Sequence, residues 1–176
     1  MKNFSIYEEI FKSGDGDFIK MSGKEPDKTF SFSNIKYETK IPNLERMCFL
    51  MESVALDKKR EGTIYVGFQK LSRAEAIWDR FLKMADNVDK IYVFGEKDTT
   101  LKSHPNIEFV YLPTNHKLIR EWFLVLDIKF GKNMMVAYDL DGFGNSEIDS
   151  NRNFKGVKTL NISHIDSTIK LLKTLI

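Results

Sequence analysis

The residues most able to do chemistry in this sequence lie in the stretch MMVAYDLDGFGN, Met134 to Asn145. An apolar run that breaks into Asp-x-Asp-Gly is the arrangement in which a first aspartate accepts a phosphoryl group and a second acts as acid and base. Asp139 and Asp141 stand in those places. Such a transfer also needs a hydroxyl, a lysine and a magnesium-binding acidic pair to neutralise the moving charge. No adjacent acidic pair follows Asp139, so the pair reads as the end of a strand and the start of a turn. A divalent-ion loop is the other reading, with Asp139, Asp141, Asn145, Glu147 and Asp149 as hard oxygen donors. The spacing departs from the calcium-loop pattern: Gly144 falls sixth from Asp139, but Phe143 is fifth and Ser150 twelfth. Asp139 and Asp141 are therefore weak metal candidates, and no metal is expected.

The other reactive side chains do not assemble into a known constellation. His104, His116 and His164 are far apart, and none has a partner at zinc-ligand spacing. Cys48, the only cysteine, lies on the apolar stripe of a helix with no base beside it, so it reads as core filler. A lone cysteine also excludes an internal disulfide and fits a reducing compartment. Two turns, VGFQKLS and VFGEKD, place a glycine after an apolar run without the Gly-x-Gly-x-x-Gly or Walker spacing of a phosphate loop.

Those turns gain interest from the elements that position them. TIYVGFQ and KIYVFGE read as buried strands, and Ser72-Arg-Ala-Glu75 as a capping box opening a helix to about Ala85, with Ile77, Phe81 and Met84 on one face. Strand, helix, strand in that length implies a right-handed crossover between parallel strands. Both strands then end on one rim of the sheet, where open α/β sheets bind ligands. The candidate site is Phe68, Gln69, Gly95, Glu96, His116, Arg120, Glu121 and Trp122. Phe68 and Trp122 supply apolar walls, and Gln69 and Arg120 supply polar anchors, Arg120 being able to hold a carboxylate or phosphate with two bonds.

Around this unit the sequence predicts a helix opened by a Ser5–Glu8 capping box and ending near Gly14, and a short strand at DFIKM. An alternating strand follows at TFSFSNIKYETK. A helix from Pro42 carries Leu44, Met47, Cys48, Met51, Val54 and Ala55 on one stripe, with Lys58, Lys59 and Arg60 in its last turn and Gly62 as its stop. Strands are predicted at IEFVYLP, EWFLVLDI, MMVAYDLD and FKGVKTLNI. A last helix is capped by Ser163, with Ile165, Ile169, Leu172 and Ile176 along one side. About six or seven strands and four helices suggest an α/β domain, with a mixed, mostly parallel central sheet flanked by helices.

Composition sets the outer bounds. The 176 residues suit one domain, spanning 1–176. Hydrophobic residues make up 42% and charged residues 30%, ordinary for a globular chain. Lys plus Arg total 27 and Asp plus Glu 25, a net charge of +2, too balanced to indicate a nucleic-acid partner. Glu8 and Glu9 interrupt any apolar core of a signal peptide, and no apolar run reaches the ~20 residues of a membrane span. A cytoplasmic protein without a membrane partner is expected.

From Tyr37 onward the chain resembles the DICT domain, the sensory domain named for diguanylate cyclases and two-component systems. Five segments carry the likeness in order. They are TKIPNLERMCFLMESVAL; YVGFQKLSRAEAIWDRFLKMADNVDKIYVFGEKD; IEFVYLPTNHKLIREWFLVLD, with its Glu-Trp-Phe; MMVAYDLDG; and RNFKGVKTLNISHIDSTIKLL, with an Arg-x-Phe-x-Gly-x-x-Thr pattern. Lys158 and Asn161 depart from the family's usual aromatic and aspartate. The resemblance implies a non-enzymatic signal-input module that binds a small ligand or a partner and regulates an output protein, such as a kinase, cyclase or transcription regulator. It transfers no catalytic residue, and the cofactor stays unknown. With no output domain in the chain, regulation in trans is expected, through an exposed sheet edge, the last helix or a homodimer. A small enzyme acting on a phosphorylated or nucleotide-like substrate, and a structural adaptor without a small-molecule site, are the alternatives.

Overall fold

The computed structural model describes residues 1–11, 18–21, 23–31, 34–142 and 149–176. Among these residues there are eight strands: β1 (Ile19–Lys20), β2 (Asn34–Lys40), β3 (Gly62–Lys70), β4 (Lys90–Glu96), β5 (Ile107–Tyr111), β6 (Glu121–Ile128), β7 (Asn133–Asp139) and β8 (Asn153–Thr159). The α-helices are α1 (Ile6–Phe11), α2 (Ile41–Leu56), α3 (Trp78–Ala85) and α4 (Ile162–Leu172). All the strands join one sheet in the order β1-β2-β8-β7-β6-β3-β4-β5.

The predicted crossover is present. β3 and β4 run parallel with α3 between them, and β4 pairs parallel with β5. The sheet as a whole corrects the expectation of a mostly parallel one. β2–β8, β3–β6, β6–β7 and β7–β8 are antiparallel, against three parallel pairs, β1–β2, β3–β4 and β4–β5. The cause is connection length. Only residues 129–132 separate β6 from β7, enough for a hairpin and too few for the crossover that parallel neighbours need.

Each face of the sheet has its own core. α2 and α3 cover one face over Ile64, Val66, Phe68, Trp122, Leu124 and Met135. α1 and α4 cover the other over Tyr65, Phe94, Phe123, Val125, Val136 and Val157. The alternation is that of a strand, in which adjacent side chains point to opposite faces. It is visible in β6, where Trp122 faces α2, and Phe123 faces the α1 side. Tight strand pairing also demands glycine at two places. A Cβ on Gly67 would come 2.2 Å from the Phe123 ring, and one on Gly156 would come 2.3 Å from the Val136 carbonyl and 2.6 Å from the Tyr37 hydroxyl.

The helix ends differ from the sequence expectations in instructive ways. α2 carries Leu44, Met47, Cys48, Met51 and Ala55 inward as predicted, but stops at Leu56, before the basic run. Its last carbonyls are met from outside: Asn87 Nδ2 donates to Ala55 and Leu56, and Arg60 Nε to Val54. Ser72 does not cap α3. Leu71–Ile77 is a 3-10 turn, and Ser72 gives both its hydroxyl and its N–H to Asp98. Asn161, not Ser163, caps α4, accepting the His164 N–H. Ser5 does cap α1, accepting the Glu8 N–H at 3.0 Å. The predicted apolar side of α4 holds for Ile165, Ile169 and Leu172, which are buried in its own core, whereas Ile176 lies beyond the helix and is exposed.

Candidate functional site

β3 and β6 lie side by side, and on the α2 face they present Phe68 and Trp122 as neighbours. Above them opens a cavity of about 1180 Å³, walled by α2 on one side and by the Leu71–Ile77 turn and α3 on the other, with Met21, Gly23 and Lys24 at one rim and Ser150 and Asn151 at another. Its walls combine flat apolar rings with guanidinium groups. Arg73 lies 5.6 Å over the Trp122 ring, and Arg46 and Arg80 lie 5.5 Å and 5.3 Å from the Phe49 ring. Such stacking suits arginine, whose planar, weakly hydrated charge tolerates apolar contact.

The acid in this wall is Glu52, one turn past Cys48 on the buried stripe of α2. It is 1% exposed. Burial raises its pKa, and the nearby Arg80 charge pulls against that. Arg80 Nε and Glu52 Oε2 meet at 2.5 Å, yet among the described residues neither atom makes a well-directed hydrogen bond. Cys48, deeper in the same wall, has its thiol pushed well above the usual range, first by burial and then by Glu52. Its sulfur sits 3.9 Å from the Met135 sulfur. It is a buried core residue, as its position on the stripe predicts.

Behind the cavity lies a buried polar node centred on Asp139. Both its carboxylate oxygens are occupied. Oδ1 accepts the N–H groups of Asp141 and Gly142 at 3.1 Å and 2.8 Å. Oδ2 is bound by Arg152 and by Gln69 Nε2. Asp139 and Arg152 are both 0% exposed. A carboxylate so enclosed cannot reach a phosphoryl group, so Asp139 is a structural acid, and Asp141 is engaged with Asn153 through its N–H and side-chain amide. Among the described residues no group of three or more His, Cys, Asp or Glu is placed to hold a metal ion. Asn145 and Glu147 of the proposed ion loop lie outside the described residues.

The node reaches the cavity wall. Arg152 Nε lies 2.7 Å from Asp149, and Asp149 lies 2.6 Å from Arg73. Burial alone would raise Asp149, but Arg73 and Arg152 together hold it below the usual carboxylate range. Gln69 also donates to the Ile119 carbonyl at 3.1 Å. Its backbone is left-handed, φ 67°, a conformation that costs a non-glycine residue roughly 1–2 kcal/mol and is held here by the side-chain bonds.

The eight residues singled out in the sequence thus divide among separate places. Phe68 and Trp122 form the cavity floor. Gln69 belongs to the Asp139 node, as does Arg120, which donates twice to the Asp139 carbonyl. Glu121 and His116 fasten the N-terminal segment on the other face: Glu121 accepts from Ser5, Ile6 and Tyr7, and His116 Nε2 lies 2.8 Å from the Lys2 carbonyl. Gly95 and Glu96 sit at the rim, where Gly95 receives the Leu112 N–H and Glu96 lies 3.9 Å from Lys70. The two strand tips do share that rim, with Lys70 opposite Glu96. The space against Gly67 is filled by Phe123, and that against Gly95 by Leu71 and the Gln69 carbonyl. His104 and His164 lie elsewhere, against Asp86 and Phe11.

A comparison with protein families accounts for this arrangement of short motifs. The family model described as DICT, sensory domain in diguanylate cyclases and two-component system, matches residues 33–139. The chain belongs to the DICT family. In this DICT chain the motifs have separate physical duties. Gly67-Phe68-Gln69 makes room for Phe123, floors the cavity and ties the Asp139 node. Glu121-Trp122-Phe123 does three jobs on alternating faces. Beyond the matched residues, Arg152, Phe154 and Gly156 supply the counter-charge for Asp139, a core ring and the close strand contact. Among solved structures, a polyphosphate kinase from Porphyromonas gingivalis is similar with a TM-score of 0.50 at 12% identity, over 74% of this chain and 21% of that one. The likeness is one of fold, and the chain spans about a fifth of that protein's length. No curated protein matches the chain.

Arg46, Phe49, Glu52, Arg73, Arg80 and Arg152 are the contributors that sequence reasoning missed. Glu52 carried the clearest signal, a charged residue on an otherwise apolar helical stripe. No helix among the described residues is long and apolar enough to cross a membrane.

Proposed function

We propose that this DICT chain senses a small, flat, negatively charged molecule in the cavity between α2 and β3–β6, and that occupancy changes its association with an output protein such as a kinase, cyclase or transcription regulator. The cavity carries this reading. Five basic side chains, Lys24, Lys40, Arg46, Arg73 and Arg80, line it against two acidic ones, Glu45 and Glu52, around the rings of Phe49, Phe68 and Trp122. Apolar walls with a few placed charges are the usual make-up of a small-molecule site. Aromatic faces select flat groups, and the basic excess of the lining favours an anion, which would have to share or displace the carboxylates that Arg46, Arg73 and Arg80 already face, Asp27, Asp149 and Glu52. The sensory character of the family supports the same role.

A thermal-shift panel of aromatic carboxylates and nucleoside monophosphates tests the proposal. A ligand at a hundred times its Kd adds ~2.7 kcal/mol to stability, which is readily seen as a rise in melting temperature. The rise should vanish in Arg73→Ala and in Phe49→Ala; Phe49 is 37% exposed, so its loss spares the core. A panel with no hit, or a hit indifferent to both substitutions, favours an adaptor without a small-molecule site.

A further inference from the structure

Residues 1–11 form a strap on the α4 face of the sheet, fastened to one short stretch, residues 116–121. α1 has six residues, far below the ~12–15 at which a helix holds in water by itself, so its contacts decide whether it stays. Phe4, Ile6 and Phe11 bury their side chains with Phe123, Val136, Ile165 and Ile169. Lys117 donates its N–H to Asn3 at 2.9 Å, and Phe4 meets the His116 ring edge-on at 5.9 Å. The central fastening is Glu121. Its Oε2 accepts the Ile6 N–H at 2.9 Å, and its Oε1 accepts the Tyr7 N–H at 3.0 Å and the Ser5 hydroxyl.

Glu121 is 0% exposed, and among the described residues every hydrogen bond it accepts comes from a neutral donor. Of the charged and titratable groups around it, Glu8 also acts on it through its charge, pushing the carboxyl up, and the others have partners elsewhere. On α1, Glu8 bridges to Lys117 at 2.8 Å, and Glu9 acts on Lys117 from a distance. On the 3-10 turn, His116 holds Lys2, and Arg120 turns to Asp139. Tyr138 of β7 and Lys155 of β8 pack against Tyr7, and His164 of α4 packs against Phe11.

We propose that Glu121 is a proton-dependent latch for this strap: with its carboxyl protonated, residues 1–11 stay seated, and with it ionised they lift and uncover the apolar surface of β7 and α4 that they cover. The protonated form keeps the Ser5 contact with its direction reversed. Oε1–H donates to the Ser5 oxygen, which can accept it alongside the Glu8 N–H because a hydroxyl has two lone pairs. Burial is the main reason the seated carboxyl is pushed up to about 7, with its three donors pulling the other way. Once the strap lifts, the carboxyl meets water and returns to about 4.3. The seated form therefore holds the proton more tightly. Seating is firmest below the ordinary glutamate value, weakens as the pH climbs from there, and has lost this contribution above about 7.

This latch stands apart from the cavity, and its test needs no ligand. Hydrogen exchange of the α1 amides, expressed as protection factors and compared with those of β3, should show strap opening rising about fiftyfold to a hundredfold between about pH 5 and about pH 8. In Glu121→Gln, which keeps the shape and an acceptor, α1 protection should not vary with pH. Equal pH trends in α1 and β3, or a Glu121→Gln protein that keeps the wild-type slope, overturns the proposal. A carboxyl carbon resonance of Glu121 in the wild-type protein decides it without any variant: a midpoint near neutrality supports the latch, and one in the ordinary glutamate range refutes it.

Discussion

Glu52 and Glu121 are both buried carboxylates, 1% and 0% exposed, on opposite faces of one sheet. Burial raises both, but their company differs. Glu52 faces the guanidinium of Arg80 in the wall of an open cavity. Among the described residues, the hydrogen bonds to Glu121 come from hydroxyl and amide donors, under a strap of the chain itself. A buried charge beside a cation is largely fixed, because losing either partner strands the other. A buried carboxyl beside neutral donors can shed its charge by taking a proton. On the readings proposed above, one face presents fixed charge to a ligand, and the other changes state within the chain.

The sharpest way to break that comparison is to strip the cation from a paired acid. Arg152→Leu leaves Asp139 buried without counter-charge, and a loss of about 3–5 kcal/mol is expected in urea unfolding, only partly recovered when Asp139→Leu is added, because the Asp141 and Gly142 N–H groups and Gln69 Nε2 then lose their acceptor. A single-substitution loss under about 1 kcal/mol would mean that the Asp139 node is not the fixed anchor described. Arg80→Met is expected to cost less, about 1–3 kcal/mol at neutral pH, since Arg80 keeps 23% of its side chain exposed and Glu52 can escape by protonation. The sign follows from the direction of the Glu52 shift. Its folded-state pKa is already raised and rises further without Arg80, so the penalty should shrink towards acid pH and grow as the pH climbs. A penalty that grows towards acid would reverse the assignment of Glu52 as the burdened partner.

Much of this was legible in the chain, for physical reasons that can be named. The β3–α3–β4 unit announces itself because helical periodicity between two apolar runs is a local signal. Strand direction is not local: EWFLVLDI and MMVAYDLD are buried on both faces, and an apolar run carries no arrow. The short connection after Ile128 was the clue to their antiparallel pairing. The candidate site failed to converge for a simpler reason. Glu121 and Trp122 are neighbours in sequence, but the two-residue period of a strand sends one towards α1 and the other towards α2. Phe68 and Trp122 share a face and do meet the cavity. Arg152 stood only as the first residue of the Arg-x-Phe-x-Gly-x-x-Thr pattern, with no role, because nothing in the sequence shows that a loop arginine will be wholly buried against an aspartate thirteen residues before it.

The most direct check on the cavity is a fluorescence titration with anilinonaphthalene sulfonate, itself a flat aromatic anion. The wild-type protein should bind it at one saturable site, Arg73→Ala and Phe49→Ala should lose that binding, and Glu121→Gln should retain it. Binding that survives both cavity substitutions, or that disappears with Glu121→Gln alone, would place the site on the wrong face of the sheet and contradict the division of labour between the two buried glutamates.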